Sequence, residues 1–447
     1  MTGQPSSGVA AIELPSGAES SRPRDARRVA LACAVGTTIE WYDFFIYGTA
    51  AATVFGPLFF PQVSPLAGTL AAFATFGVGF VARPVGGIVM AHFGDRVGRK
   101  SMLVWSLMLM GLSTLGIGLL PDYASIGVWA PTLLVVFRLV QGFALGGEWG
   151  GAVLMAVEHA PAERRGFYGS VVALGLPIGI ILSNAVFLVT SVAVDSSAFL
   201  EWGWRVPFLA SVILIAVGLF IRAGLNESPV FAEEHQAGRT RRMPVLDVLR
   251  TDWRTVLLAA GSYTGITALG YVVLVYYVTY ATRVLGLPLP TVLGMLLVAA
   301  TVFAAAVLRF ARWSDRIGRR RVMLWGNAAL VVWSAAFFPL LDTGSVPIIT
   351  IALVVMLALQ GAYIGTQPAV FAELFPPAIR YSGVSLSNTL GTIVGGAPAP
   401  FIAAALYNAY DSSAAVGTYI TALAAVSWLS VIGLRETRPQ PAVHEAP

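Results

Sequence analysis

The sequence predicts an all-α polytopic membrane protein with twelve transmembrane helices in two six-helix halves. Three observations predict it. First, 57% of the 447 residues are hydrophobic and only 11% are charged, whereas soluble domains carry about 25% charged residues. Second, the charges fall in short patches separated by runs of roughly 20 apolar residues, each long enough to cross a ~30 Å hydrocarbon core. Third, a charged, glycine-broken turn occurs twice. It reads His92-Phe-Gly-Asp95-Arg-Val-Gly98-Arg99-Lys100 and again Arg312-Trp-Ser-Asp315-Arg-Ile-Gly318-Arg319-Arg320, and the two Asp are 220 residues apart, about half the chain. A charge cluster recurring between apolar runs at the same place in each half marks an internal duplication.

The predicted spans are 29–54, 66–91, 102–120, 130–156, 168–191, 204–224, 254–280, 289–311, 322–341, 346–371, 384–407 and 414–434. The division that follows is a cytoplasmic N-terminal tail (1–28), an N-terminal six-helix half (29–225), a cytoplasmic linker (226–253), a C-terminal six-helix half (254–434) and a cytoplasmic C-terminal tail (435–447). The linker is the longest interior polar segment and contains Arg239, Arg241 and Arg242. The first apolar run holds Glu40 and Asp43, acids that a cleaved signal peptide does not carry.

Basic residues set the expected orientation. Of 28 Lys and Arg, Arg83 and Arg138 lie inside spans, only Arg205 and Arg283 lie at one set of span ends, and the other 24 lie at the opposite set. Those ends are expected to be cytoplasmic, with both termini among them. The net charge of +5 therefore belongs to membrane topology and not to nucleic-acid binding. Cys33 is the only cysteine, which excludes a disulfide framework and thiolate metal sites. No metal and no cofactor is expected.

The halves match beyond the turn. Leu139-Val-Gln141-Gly142 in span four parallels Ala358-Leu-Gln360-Gly361 in span ten at an offset of 219, and Glu158-x-x-Pro161-x-x-x-Arg165 parallels Glu373-x-x-Pro376-x-x-x-Arg380 at 215. The offset drops by about one helical turn, so span four is either one turn longer than span ten or locally distorted.

These motifs resemble the major facilitator superfamily. The two turns are similar to its signature between spans two and three and between eight and nine, and Arg138-x-x-Gln141-Gly142 to its span-four signature. Within that superfamily the chain looks most like the metabolite:proton symporters, which include shikimate, oxoglutarate, citrate and proline/betaine carriers. The carrying residues are Gly36-Thr-Thr-Ile-Glu40-Trp-Tyr-Asp43-Phe-Phe, Phe59-Phe-Pro61, Gly79-Phe-Val-Ala-Arg83-Pro84-Val-Gly86-Gly87 and Gln141-Gly-Phe-Ala-Leu-Gly-Gly-Glu148-Trp149-Gly-Gly. Phe59-Phe-Pro-Gln-Val-Ser-Pro65 with Gly68-Thr-Leu-Ala-Ala-Phe-Ala-Thr-Phe-Gly77 looks most like the shikimate carriers. One departure is that Ala91 and Ala311 stand four residues before each turn Asp, where the superfamily pattern prefers Gly. The resemblance implies the major facilitator fold, with spans one, four, seven and ten around a central cavity.

Gly36, Glu40, Asp43 and Tyr47 lie on one stripe of span one. Two acids on one face of a membrane helix are costly unless they meet water or partners. They are either a structural pair locking helices together or a cavity-facing proton carrier, with Asp43 first and Glu40 second. Burial favours the protonated form of a carboxylate and a nearby cation the charged form. Span four presents Arg138, Gln141, Leu145, Glu148 and Trp149 on one broad face. The guanidinium of Arg138 suits a substrate carboxylate, or it pairs with Asp43 or Glu40, or it does both. Arg83 and Glu148 lie at similar depth and are expected to pair. Span ten adds Gln360, Tyr363 and Gln367, and span seven Tyr263, Tyr271, Tyr276 and Tyr277. Candidate substrate contacts are thus Arg138, Gln141, Tyr47, Trp149, Gln360 and Tyr363.

The charged turns and their neighbours are expected to form an inner gate of Asp95, Arg99, Glu158, Arg165, Asp315, Arg319, Glu373 and Arg380, with Glu158, Arg165 and Arg99 in one salt-bridge cluster and Glu373, Arg380 and Arg319 in the other. Such networks hold halves shut on one side while the cavity opens on the other. Topogenic charge alone is the competing reading.

The expected function is proton-coupled import of a small organic acid across the plasma membrane by alternating access, with a shikimate-like substrate first and an oxo- or dicarboxylate second. The expected partners are a small organic anion or zwitterion, protons and the lipid bilayer, with the monomer as working unit. A proline/betaine-type symporter is the alternative. Osmosensing members of that type resemble chains with a long C-terminal coiled coil, and here about a dozen residues follow the last span. An exporter is disfavoured because Gly175-Leu-Pro177-Ile-Gly179 is only partly similar to the superfamily's antiporter signature. A membrane-embedded enzyme lacks a metal-spaced His/Glu cluster or a nucleophile–base set, and a receptor lacks an added signalling domain.

Overall fold

The computed structural model describes residues 23–97, 99–146, 148–223, 244–376 and 379–438, excluding the side chains of 23–26, 91–101, 103, 162, 222–223 and 244–247. No strand occurs among the described residues. The membrane helices are α1 (Pro23–Thr53), α2 (Pro65–Val97), α3 (Arg99–Leu119), α4 (Trp129–Glu158), α5 (Arg165–Ala193), α6 (Val206–Ala223), α7 (Trp253–Arg283), α8 (Leu289–Ile317), α9 (Arg319–Leu341), α10 (Val346–Leu374), α11 (Arg380–Tyr410) and α12 (Ser413–Gly433). Eleven are long and apolar enough to span a bilayer, and α3 contributes a shorter apolar stretch, Val104–Leu119. A short helix, Pro244–Thr251, lies within the expected linker. Phe220 on α6, Val332 on α9 and Ile88 on α2 are 83%, 73% and 69% exposed. In lipid such side chains meet a solvent as apolar as themselves.

Local chemistry sets the helix ends. Pro65 opens α2, and prolines occupy the first turn of α8 and α10, where a missing N–H costs nothing. Asp122 and Asp195 cap two short connecting helices by accepting from Ser125 N at 2.9 Å and Ala198 N at 2.7 Å. The second charged turn breaks at Gly318, whose φ of 111° is strained for any residue with a Cβ. Its counterpart Gly98 lies outside the described residues.

The duplication is visible in the packing. In the first half α1 lies on α5, α2 on α4 and α3 on α6; in the second α7 lies on α11, α8 on α10 and α9 on α12. Close backbone approach makes the α2–α4 contact. A Cβ on Gly142 would stand 1.8 Å from the Gly79 carbonyl oxygen, and one on Gly365 2.3 Å from that of Val307 at the matching α8–α10 contact. Small residues at such crossings replace the hydrophobic drive that lipid cannot supply.

Of the two explanations for the shifted offset, distortion holds. Helix α4 stops at Ala144 and resumes at Glu148, whereas α10 runs unbroken from Val346 to Leu374. Two further irregularities were not legible in the sequence. Helix α7 carries a π-helical turn at Val272–Tyr276, and α11 another at Thr392–Gly396. Such turns concentrate at functional sites.

The halves meet at both ends. On the face carrying the charged turns, hereafter the basic face, the Asp315 carboxylate accepts from Gly166 N and Phe167 N, each at 3.0 Å. A carboxylate at this helix start also complements the positive end of the α5 dipole. On the opposite face, Thr279 Oγ1 of α7 donates to Ala52 O at 3.0 Å, and Arg283 to Thr69 Oγ1 at 2.5 Å.

Candidate functional site

Between the two halves lies a cavity of about 30 Å³, lined by Trp41 and Phe45 of α1, Tyr263 and Tyr271 of α7, Phe303 of α8 and Gln360 of α10, among others. By this measure one water needs about 10–15 Å³, so the space suits a couple of waters and not a six-carbon acid. The amide nitrogen of Gln360 and the hydroxyl of Tyr271 are buried without hydrogen-bond partners.

The charged groups expected around the cavity sit beside it. Glu40, Asp43, Arg138 and Gln141 are all buried, but none lines the cavity. Helical geometry explains the placement of Asp43. Trp41 and Phe45 share one face of α1, and Asp43, two residues from each, points about 160° away. Its Oδ2 instead accepts from Thr114 Oγ1 of α3 at 2.9 Å. Thr114 accepts in turn from Gln141 Nε2 at 2.7 Å, and Gln141 Oε1 accepts from Arg138 at 3.2 Å. Arg138 and Asp43 are therefore linked through two side chains within the N-terminal half.

Aromatic rings enclose the guanidinium. Its carbon lies 4.2 Å from the ring centre of Tyr47, 4.7 Å from that of Phe44 and 5.1 Å from that of Phe76, an arrangement that stabilises a desolvated cation. The Tyr47 hydroxyl donates to Thr75 Oγ1 at 2.6 Å. The Tyr271 ring packs on Phe44, Phe76 and Phe80 at 5.2, 5.5 and 5.5 Å. An aromatic layer thus separates the charged chain from the cavity, with Tyr271 bordering both.

The other candidates divide. Gln360 reaches the cavity. Tyr363 stacks on Tyr263 at 6.0 Å and shares a hydrogen bond of 2.7 Å with Ser262, outside the cavity lining. Trp149 packs edge-on against Phe371 at 6.4 Å, beyond the break in α4 and also outside that lining. The expected Arg83–Glu148 pair is absent from the ion pairs of the described residues. Arg83 lies over the rings of Phe80 and Phe44 at 4.7 and 5.5 Å, while Glu148 accepts from Ser106 Oγ at 3.1 Å. Helix α4 is interrupted between Arg138 and Glu148, which shifts Glu148 relative to the rest of the span.

At the basic face the expected clusters are partly exchanged. Arg319, 1% exposed, bonds Glu373 through two nitrogens at 2.6 and 2.8 Å and Asp315 at 2.9 Å. Arg380 does not join them but reaches Glu158 of the other half at 3.3 Å. Arg165 opens α5 and lies within electrostatic reach of Glu373. The side chains of Asp95 and Arg99 lie outside the described residues. Sequence reasoning missed Thr114. A threonine in a membrane helix routinely bonds its own helix, as Thr114 does with Met110 O at 3.0 Å, so nothing singles it out.

Comparisons with known proteins agree with this architecture. The Major Facilitator Superfamily profile matches residues 33–400 and 290–446. The chain is 43% identical to the "Inner membrane metabolite transport protein YhjE" of Escherichia coli K12, over 92% of this chain and 95% of that protein. It is 39% identical to the "Shikimate transporter" of the same organism, over 92% and 95%, and 30% identical to the "Proline/betaine transporter" of Salmonella typhimurium, over 93% and 84%. Among solved structures it superposes on the proton:xylose symporter XylE with a TM-score of 0.74 at 15% identity, covering 92% of this chain and 96% of that one. With a fold, an internal repeat and relatives that all agree, the chain belongs to the Major Facilitator Superfamily and is a multi-pass membrane transporter of metabolites, not an enzyme.

Proposed function

We propose that the chain couples inward movement of a small organic acid to that of protons, by alternating access between its two halves. The observation that carries this reading is the buried Arg138–Gln141–Thr114–Asp43 chain. A carboxylate and a guanidinium joined without touching, in a region stripped of water, respond to each other's charge. A proton on Asp43 removes the negative charge that Arg138 offsets. A substrate carboxylate reaching Arg138 then replaces it and competes with Gln141 for the guanidinium. Glu40, one turn away, is the second candidate carrier. Gln360 and Tyr363 provide neutral donors from the opposing half, and Tyr47 and Trp149 complete the proposed contacts.

The basic face is assigned to the cytoplasm by the positive-inside rule, with both tails and the 226–253 linker on that side and residues 29–225 and 254–434 as the moving halves. Asp95, Arg99, Glu158, Arg165, Asp315, Arg319, Glu373 and Arg380 form the inner gate. The working unit is a single chain in the plasma membrane. A shikimate-like hydroxylated carboxylate is the first substrate class, in keeping with the shikimate-transporting relative, and an oxo- or dicarboxylate the second. A zwitterion of the betaine type is a second reading, favoured by a cavity lining without a charged side chain.

The test is uptake by reconstituted vesicles of labelled shikimate, oxoglutarate, citrate and betaine under an imposed pH gradient. Accumulation of one of the acids, abolished by a protonophore, is the expected result. Uptake indifferent to the gradient contradicts proton coupling, and accumulation of betaine alone selects the second reading.

A further inference from the structure

We infer that Thr114 is a positioning residue for proton coupling: its hydroxyl turns between two acceptors and so fits the site to both protonation states of Asp43. The inference rests on Asp43 being the proton carrier. Its basis is the direction in which each hydrogen bond must run.

A guanidinium only donates. Gln141 must therefore present Oε1 to Arg138, which turns Nε2 toward Thr114. The amide nitrogen donates as well, so one lone pair of Thr114 Oγ1 is taken and its proton must go elsewhere. Two acceptors lie within reach, Asp43 Oδ2 at 2.9 Å and Met110 O at 3.0 Å. One hydroxyl proton serves one of them at a time.

With Asp43 ionised, the hydroxyl donates to Oδ2, and every donor in the chain points from Arg138 toward the carboxylate. With Asp43 protonated, the carboxyl O–H donates to the second lone pair of Oγ1, and the Thr114 proton turns to the Met110 carbonyl. Each bond in the chain then has one donor and one acceptor in both states, with no heavy atom moved. A buried site satisfied in only one state would resist the other by the cost of an unmade hydrogen bond. Arg138 of α4 and Tyr42 of α1 are within electrostatic reach of Asp43, and Glu40 lies one turn away on the same helix. None of these supplies the two-way partner that Thr114 does.

The experiment is infrared titration of the full-length protein reconstituted in lipid, reading the carboxylic C=O stretch against pH. Asp43→Asn identifies the Asp43 band by its loss. Thr114→Val keeps the volume and removes the hydroxyl, and Thr114→Ala is the substitute if the valine variant does not fold. Charged hydrogen bonds are the stronger kind, so losing this one disfavours the ionised form. The expected result is a midpoint moved up by roughly one pH unit and a band moved to higher frequency, both restored in Thr114→Ser. An Asp43 band with unchanged midpoint and frequency in the hydroxyl-free variant overturns the role of Thr114 alone. Absence of any band lost in Asp43→Asn overturns Asp43 as the carrier, and this inference with it.

Discussion

Glu158 and Arg380 stand 3.3 Å apart across the boundary between the two halves. They come from opposite ends of the duplicated sequence pattern, the acid of one copy and the base of the other. The repeat therefore supplies the two sides of one contact instead of two separate clusters. Both side chains are partly exposed, so the pair stabilises the closed basic face by under about 1 kcal/mol.

That weakness gives a prediction. Ser385 of α11 lies against Gly150 of α4, where the halves meet behind this pair, and its hydroxyl is buried. In a Cys33→Ser background carrying Ser385→Cys, either Glu158→Gln or Arg380→Gln should raise thiol labelling from the basic face a few-fold. The exchange Glu158→Arg with Arg380→Glu should return it toward the starting rate. Equal labelling in all variants means the pair does not hold the face shut.

The stronger hold is Asp315. Its carboxylate accepts from two amides of α5 and from Arg319, which is itself nearly fully buried. Asp315→Asn leaves part of that buried charge without its partner, a change expected to cost about 2–4 kcal/mol. Thermal unfolding in detergent should show a clearly lower midpoint, with labelling of Ser385→Cys faster than in either Glu158 or Arg380 variant. An unshifted midpoint would remove Asp315 from the gate.

Packing at the α2–α4 crossing makes a sharper contrast. Gly142→Ala drives a methyl into the Gly79 carbonyl, whereas a Cβ on Gly294 meets nothing within 4 Å. Overpacking of this kind costs about 1–3 kcal/mol. Gly142→Ala should lower yield and thermal midpoint, and Gly294→Ala should leave both unchanged. Similar behaviour of the two would contradict the close approach.

Much of this architecture was legible in the sequence because membrane burial imposes simple rules. Apolar length gave the spans, and the repeated turn gave the two halves. Less of the site was legible. Asp43 and Arg138 stood out because charge in lipid is conspicuous, and Gln141 because it belongs to a motif. Thr114 carries no such mark, and its role depends on which helix α3 faces. The stripe of α1 illustrates the limit, since periodicity states which residues share a face and not which neighbour that face meets: Asp43 meets Thr114 of α3. Arg83 and Glu148 lie on either side of an irregularity that apolar periodicity does not reveal, since α4 stops at Ala144 and resumes at Glu148.

Recognition of the substrate is tested at Arg138. Lysine keeps the charge but loses the planar fork with which Arg138 is proposed to hold a substrate carboxylate. Arg138→Lys should weaken apparent substrate affinity about tenfold or more, read from the concentration dependence of uptake. Wild-type affinity in that variant would mean that Arg138 does not contact the substrate.

Asp43 is proposed to carry the proton that drives accumulation. Asparagine at this position imitates the neutral acid in shape and cannot release a proton. The decisive measurement compares two activities of Asp43→Asn in the same vesicles: uptake driven by an imposed pH gradient, and exchange of internal for external labelled substrate. Accumulation should be lost while exchange survives, because a carrier fixed in the neutral form still reorients when loaded. Accumulation against the gradient at the wild-type level would contradict it and pass the role to Glu40.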